Sequence, residues 1–240
     1  MSDELGDQDF WDRQWKRRID RYLSAQPRTG LFIRHRFGSS CNKILELGGG
    51  SCRDSAYLAQ KGYQCEATDL SPDAVSYLSS KFGSQNLEFS VQDAMNLSFA
   101  DDSFELVFHN GLIVCFDSDE AVIEILREQR RVASRFALIL AHNAENPTLV
   151  KQFSEIGETD PVFRIRFFSR DALRELMKKA GFDPSRITME KFGGKLDVLA
   201  ARKLKGVPNP FSNLTRRLIP SLYERQAWDQ TERIACIAEL

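Results

Sequence analysis

The sequence lacks the features that mark several large classes of protein. It has five cysteines in 240 residues, an odd number with no C-x-x-C pair, which speaks against a disulfide framework or a cysteine-based zinc site. Its three histidines, His35, His109 and His142, are far apart and form no H-E-x-x-H, so no metal is expected. An excess of one charge is also missing: 33 Lys+Arg face 34 Asp+Glu, for a net charge of −1. That balance does not suit a chain that grips nucleic acid by counterion release, and no nucleic-acid partner is expected. No apolar run approaches the roughly 20 residues that span a bilayer. The start, Met1 to Arg18, is acidic and polar without the apolar centre of a secretory leader. A cytoplasmic protein without a transmembrane segment is therefore expected. There are no internal repeats and no low-complexity tracts.

What is present is a core-forming chain: 42% of residues are hydrophobic and 17 are Phe. The length suits one domain with appendages. Residues 1–34 are polar and aromatic and are expected to form a helical cap. Trp11 and Trp15 lie four apart, on one face if helical, with Asp9 available as N-cap, and the helix is expected to break between Pro27 and Gly30. From residue 43 strand and helix patterns alternate. Strands are predicted at Lys43–Leu47, Tyr63–Thr68, Leu87–Val91, Phe104–Phe108 and Phe136–Ala141. Helices are predicted at Arg53–Lys61, from Ser71-Pro72 toward Phe82, at Asp117–Val132 and from Ser169 to Lys179. Residues 144–163 are expected to be irregular, and Ile187–Lys191 with Leu196–Leu204 to form a closing hairpin around Gly193-Gly194. This alternation implies an α/β fold, a mostly parallel sheet with helices on both faces. Such sheets bind ligands at the carboxyl ends of their strands.

After the first strand comes Glu46-Leu47-Gly48-Gly49-Gly50-Ser51-Cys52-Arg53. Three consecutive glycines let a ligand approach the backbone, where a merely flexible turn would need fewer. After the second strand comes Asp69, roughly 20 residues on, the placement of a carboxylate that accepts ribose hydroxyls. On its own it could equally begin the Asp69-Leu70-Ser71-Pro72 helix entry. After the third strand, Asp93 and Ala94 could take an adenine edge, although a lone loop aspartate is usually a surface one. A dinucleotide fingerprint would need Gly at position 53, where Arg53 stands. Glu46 is badly placed for a diphosphate and well placed for the ammonium of an amino acid. S-adenosylmethionine has an amino acid, a ribose and an adenine, and no phosphate.

Ile44 to Ser55 resembles the first motif of the class I S-adenosylmethionine-dependent methyltransferases. Ala67 to Pro72, Val91 to Leu97 and Ser103 to Asn110 resemble their next three motifs, and Phe167 to Leu173 with Ala180 to Phe182 resembles the helix and Gly-Phe turn before the terminal strand pair. The resemblance covers about residues 40–204 and points to members acting on small molecules, the tellurite-resistance and thiopurine groups among them. It implies a Rossmann-like seven-stranded sheet in the order 3-2-1-4-5-7-6 with strand 7 antiparallel. It implies S-adenosylmethionine as cofactor, with Glu46, Gly48, Gly49 and Gly50 along the methionine part. Asp69 would bind the ribose, Leu70 would pack on adenine, and Asp93 and Ala94 would hold its edge. In those groups an N-terminal tryptophan segment covers the cofactor, a role that falls on Trp15 here. The third glycine of the usual E/D-x-G-x-G-x-G is Cys52 in this chain.

Methyl transfer to a hydroxyl usually needs a base, and His109 and His142 fall just past the fourth and fifth strands. Both are candidate catalytic bases, against the commoner structural role of a loop histidine; Asn110 is expected to frame the site or touch the cofactor. Arg164 and Arg166 alternate around Ile165 and would share one side of a strand, as anion ligands or as a solvated face. The expected organisation is a cap over 1–34, a methyltransferase core over 35–204 with an acceptor-side loop at 144–168, and a C-terminal extension over 205–240 that packs on the core or on a homodimer partner. The leading expectation is methylation of a small-molecule acceptor at a hydroxyl oxygen. A protein or RNA methyltransferase, a non-catalytic binding subunit and a nicotinamide dehydrogenase are the alternatives.

Overall fold

A computed structural model of the protein describes residues 7–82, 86–194, 197, 203–204, 207–208 and 221–240. The elements in chain order are α1 (Gln8–Leu23), α2 (Arg28–Arg36), β1 (Lys43–Glu46), α3 (Arg53–Ala59), β2 (Gln64–Asp69), α4 (Pro72–Phe82), β3 (Leu87–Val91), β4 (Phe104–Asn110), α5 (Asp119–Val132), β5 (Ala133–His142), α6 (Pro147–Gly157), α7 (Arg170–Lys179), β6 (Ile187–Gly194), β7 (Lys203–Leu204), β8 (Val207–Pro208) and β9 (Thr231–Glu239). Seven strands form one sheet in the order β3-β2-β1-β4-β5-β9-β6. All neighbours are parallel except β9, which runs antiparallel to both β5 and β6. This is the expected Rossmann-like topology.

The sheet is buried because its strands are apolar on both faces, and the two faces separate by the two-residue period. Ile44, Leu106, Phe108 and Leu138 pack with Ile33 of α2 and Leu58 of α3. Ile139, Ile234 and Cys236 pack with Ile125 of α5 and Leu173 of α7 on the opposite side. Ser118 caps α5 and Ser169 caps α7 through their side-chain oxygens. Among the described residues no helix is long and apolar enough to cross a membrane.

Four expectations need correction. The antiparallel strand is Thr231–Glu239, not Leu196–Leu204. Most of that expected arm lies outside the described residues, as do Arg216 and Arg217, and Lys203–Leu204 pairs instead with Val207–Pro208. The apolar stretch Ile234 to Ala238 alternates between the two core faces and takes the interior position between β5 and β6. Residues 144–163 are not wholly irregular: Asn146 accepts from the Leu149 amide at 3.0 Å and Pro147 takes the first turn of α6, where a missing N–H costs nothing. The helix does break ahead of Pro27, after Leu23, but Arg28 to Gly30 already belong to α2. The Gly30 amide donates to Asp54 Oδ1 at 2.9 Å, and a Cβ there would lie 3.1 Å from the Asp54 carbonyl oxygen, so this glycine serves close packing of α2 on α3. The cap of α1 is Asp7 in place of Asp9.

Candidate active site

The carboxyl ends of β1, β2, β4 and β5 open into one cavity of about 280 Å³. Its donor-side half is built by the loop after β1. Gly48 and Gly50 have φ of +56° and +58°, the left-handed region that favours glycine. Cys52 adopts the same conformation at φ +48° and caps α3, so the chain keeps the bend of the missing third glycine with a thiol in its place. A Cβ at Gly48 would lie 2.7 Å from Leu112 Cδ1, and one at Gly50 would run into the Trp15 ring. The strip of bare backbone is therefore required on both sides.

Glu46 ends β1, is 3% exposed and lines the cavity. The Ser55 amide donates to its Oε2 at 3.2 Å and the Ser55 hydroxyl at 2.5 Å. Burial, and then nearby Asp54, push its carboxyl well above the usual carboxylate range. Asp69 ends β2; its Oδ2 accepts the Gly50 amide at 2.8 Å and its Oδ1 the Ser71 amide at 3.0 Å. Burial raises its pKa, and those amides oppose the rise. Leu70, Asp93 and Ala94 line the same half, with Asp93 Oδ1 accepting the Met95 amide at 2.9 Å.

Helix α1 roofs this half. Trp11 and Trp15 stack with centroids 5.6 Å apart, and Trp15 meets Tyr22 edge-on at 5.5 Å. All three line the cavity. The helix is pinned to the donor side by the Asp12–Ser71 hydrogen bond and to the far side by Arg18, which donates to both oxygens of Asp160 at 2.8 and 2.9 Å.

The acceptor-side half has a different character. Phe153 of α6 and Val162, Phe163 and Ile165 of the following segment form apolar walls, joined by Phe116. At its base, His142 of β5 stands in register with Arg233 of β9. The His142 ring packs 5.0 Å from Phe153 and 5.6 Å from Phe167, and its Nδ1 is buried without a hydrogen-bond partner. Burial first, then Arg233, hold its pKa well below the ordinary histidine value, so the imidazole is neutral. Arg233 Nη1 donates to Asn110 Oδ1 at 2.6 Å, which fixes Asn110 at the junction of the two halves.

Trp15, Glu46, Gly48, Gly49, Asp69, Leu70, Asp93, Ala94, Asn110 and His142 thus line one cavity, with Gly50 behind Trp15. His109 is not among them, against expectation. It sits on the same face of β4 as Val107, beside Ile139 of β5, fully buried with both ring nitrogens unpartnered. Burial takes its pKa down to about 3. The pleat that sends Asn110 toward the cavity sends His109 away from it. Arg164 and Arg166 do not share a strand face either: Arg164 Nε donates to the Gly157 carbonyl at 2.8 Å and Arg166 Nη2 to Asp119 at 2.5 Å. Sequence reasoning missed Arg53, Phe153 and Arg233 as lining residues. For Arg233 one signal was present, a lone arginine leading the apolar run Ile234 to Ala238. Among the described residues no cluster of three His, Cys, Asp or Glu could hold a metal ion.

Residues 44–135 match the family model described as a methyltransferase domain. The chain is 26% identical over 156 residues to the O-methyltransferase resE of Aspergillus sclerotiorum, an alignment over 61% of this chain and 57% of that protein. It is 34% identical over 116 residues to the norajmaline N-methyltransferase of Rauvolfia serpentina, over 44% of this chain and 38% of that one. The chain thus spans about half the length, or less, of these relatives. Its fold is similar to that of the magnesium protoporphyrin IX methyltransferase of Synechocystis PCC 6803, solved with bound S-adenosylhomocysteine, at a TM-score of 0.64 and 13% identity, covering 97% and 98% of the two chains. The domain match runs from β1 to the start of β5, and the complete seven-stranded order gives the chain the Rossmann-like fold of the S-adenosylmethionine-dependent methyltransferases.

Proposed function

We propose that this protein transfers a methyl group from S-adenosylmethionine to a small-molecule acceptor, at a hydroxyl oxygen. The observation that carries the reading is the set of groups in the donor half: Glu46, the bare Gly48-Gly49 backbone and Asp69 converge on one cavity. The donor set fits the cofactor. Glu46 is a buried carboxyl whose ionisation is held back by burial and by nearby Asp54, and an ammonium group beside it would favour the ionised form. Arg53 lines the same half with its Nε buried and without a hydrogen bond, and suits the adjoining carboxylate. Asp69, with one amide on each oxygen, is oriented to accept ribose hydroxyls, and Leu70, Asp93 and Ala94 border the adenine position.

When bound, the sulfonium supplies an electrophilic methyl carbon, which bonds to the acceptor oxygen as the carbon–sulfur bond breaks toward sulfur. The protein's part is alignment, exclusion of water and removal of one proton. Helix α1 and the aromatic wall keep water out. His142, neutral and with a free ring nitrogen, accepts the hydroxyl proton. The relatives act on oxygen in one case and nitrogen in another, so the choice of oxygen here rests on His142. The roofed cavity supports a small acceptor over a polymer strand.

The test is a calorimetric titration with S-adenosylmethionine, S-adenosylhomocysteine and NAD. Both sulfur nucleosides should bind and NAD should not; failure of both would sink the reading. Transfer of labelled methyl to a panel of hydroxylated and aminated acceptors then tests the oxygen assignment, which falls if only amines are labelled.

A further inference from the structure

The acceptor half contains a cation that methyl-donor binding does not use. Arg233 stands in the wall of the cavity with its side chain 14% exposed. Its Nε donates to Glu232 Oε1 at 3.2 Å and its Nη1 to Asn110 Oδ1 at 2.6 Å. Its Nη2 donates to no described residue, although a guanidinium has five N–H groups to place.

The neighbouring charges do not satisfy it. Glu232 is already held by Arg28, whose Nη1 and Nη2 donate to it at 2.8 and 2.7 Å, and Arg28 also meets Asp197. Arg233 keeps the weaker, single-point share of that carboxylate. Burial accordingly pulls its pKa below the ordinary arginine value despite the pairing. It remains a cation, since arginine does not give up its proton in proteins.

The backbone beside it is shaped to admit the group. Gly111 has φ +83°, and a Cβ there would lie 3.0 Å from Arg233 Nη1. The rest of this half is apolar: Phe116, Phe153, Phe163 and Ile165, with a neutral His142 opposite. An apolar chamber with one open cationic edge matches an apolar molecule carrying one negative charge.

We infer that the acceptor is a small aromatic or similarly apolar molecule bearing a carboxylate, held by the free edge of Arg233 so that its hydroxyl lies beside His142. This deepens the methyl-transfer reading and rests on it. Arg233 is then the specificity-determining residue, taking the anion-binding part that Arg164 and Arg166, bonded elsewhere, do not play.

Benzoate and benzamide, nearly isosteric and differing in charge, are the probes. Their affinities for the full chain are measured by calorimetry with saturating S-adenosylhomocysteine and again without it. Benzoate should bind at least about tenfold tighter, the value of one charge-assisted hydrogen bond. In R233Q, and in R233K, which keeps a charge beside Glu232 but removes the planar Nη2 edge, the two affinities should fall within about threefold of each other. Thermal melts show that the variants are folded. Equal affinities in the natural protein, or no binding of either probe, overturn the inference. So does a tenfold preference that persists in either folded variant. Failure of S-adenosylhomocysteine to bind strikes the methyl-donor reading instead, and the titrations without it still test Arg233.

Discussion

The two halves of the cavity are made in opposite ways. The donor half comes from short strand–loop–helix units, each within a few residues of its own strand: Glu46 to Arg53 after β1, Asp69 to Ser71 after β2, Asp93 and Ala94 after β3. It is polar, and its polar groups hold one another through backbone amides. The acceptor half draws on positions as far apart as Phe116, His142, Phe153, Ile165 and Arg233, and it is apolar but for the histidine and the arginine. A bound nucleoside asks for fixed donors and acceptors, which a compact motif supplies. An acceptor asks for a shape, which many segments can supply.

The sharpest test of this division is His142→Phe. Loss of general-base catalysis should lower kcat by about 100- to 10,000-fold. The affinity for S-adenosylhomocysteine should stay within about twofold. Full turnover would mean that the acceptor half contributes shape alone. The acidic limb of the natural protein's rate profile should lie below the ordinary histidine range, because burial and Arg233 depress the pKa of this base.

Next in size is Asp69→Ala. It takes away the carboxylate proposed to accept the ribose hydroxyls and leaves the Gly50 and Ser71 amides without their acceptor. Calorimetry should record a fall of about 100-fold in S-adenosylhomocysteine affinity. Near-normal affinity would detach Asp69 from the donor half.

Glu46 gives a smaller, pH-dependent effect. Its raised pKa means that the free protein holds a proton there which the unfolded chain has already lost. Its contribution to stability is therefore full below the ordinary carboxylate value and declines as pH rises toward the raised one. Ligand binding runs the other way, because an ammonium needs the carboxylate ionised. S-adenosylhomocysteine affinity should climb with pH by up to about tenfold per unit below the raised value, and E46Q should flatten the climb. A natural protein with a flat profile would separate Glu46 from the ammonium.

The smallest effect is expected for His109→Leu, which lies outside both halves. Turnover and donor affinity should stay within about twofold. Its folded pKa of about 3 lies below the unfolded value, so its destabilising effect appears as pH falls through the ordinary histidine range. The variant should gain about 1 kcal/mol over the natural protein between pH 8 and pH 5.5 in denaturant melts. A loss of turnover would bring His109 back into the chemistry.

What the sequence made legible follows the same division. Glu46, the glycines, Asp69 and Asp93 could be read because their chemistry and their spacing sit together on the chain. His142 and His109 looked equivalent, each just past a strand, and only the phase of the pleat tells them apart. Pro147 and Gly157 looked like breaks in a loop, while Asn146 turns the proline into a helix start. Arg28 and Glu232 join α2 to β9 across nearly the whole sequence, and no local pattern announces such a pair.

Strand β9 fills the slot between β5 and β6, two strands made much earlier along the chain. Without residues 231–239, β5 would present an open edge of unpaired backbone and β6 would have no partner in the sheet. The same strand brings Arg233 beside His142. Completion of the sheet and completion of the acceptor chamber are thus one folding event. A chain without β9 would have neither a closed sheet nor Arg233 in the wall of the proposed acceptor chamber.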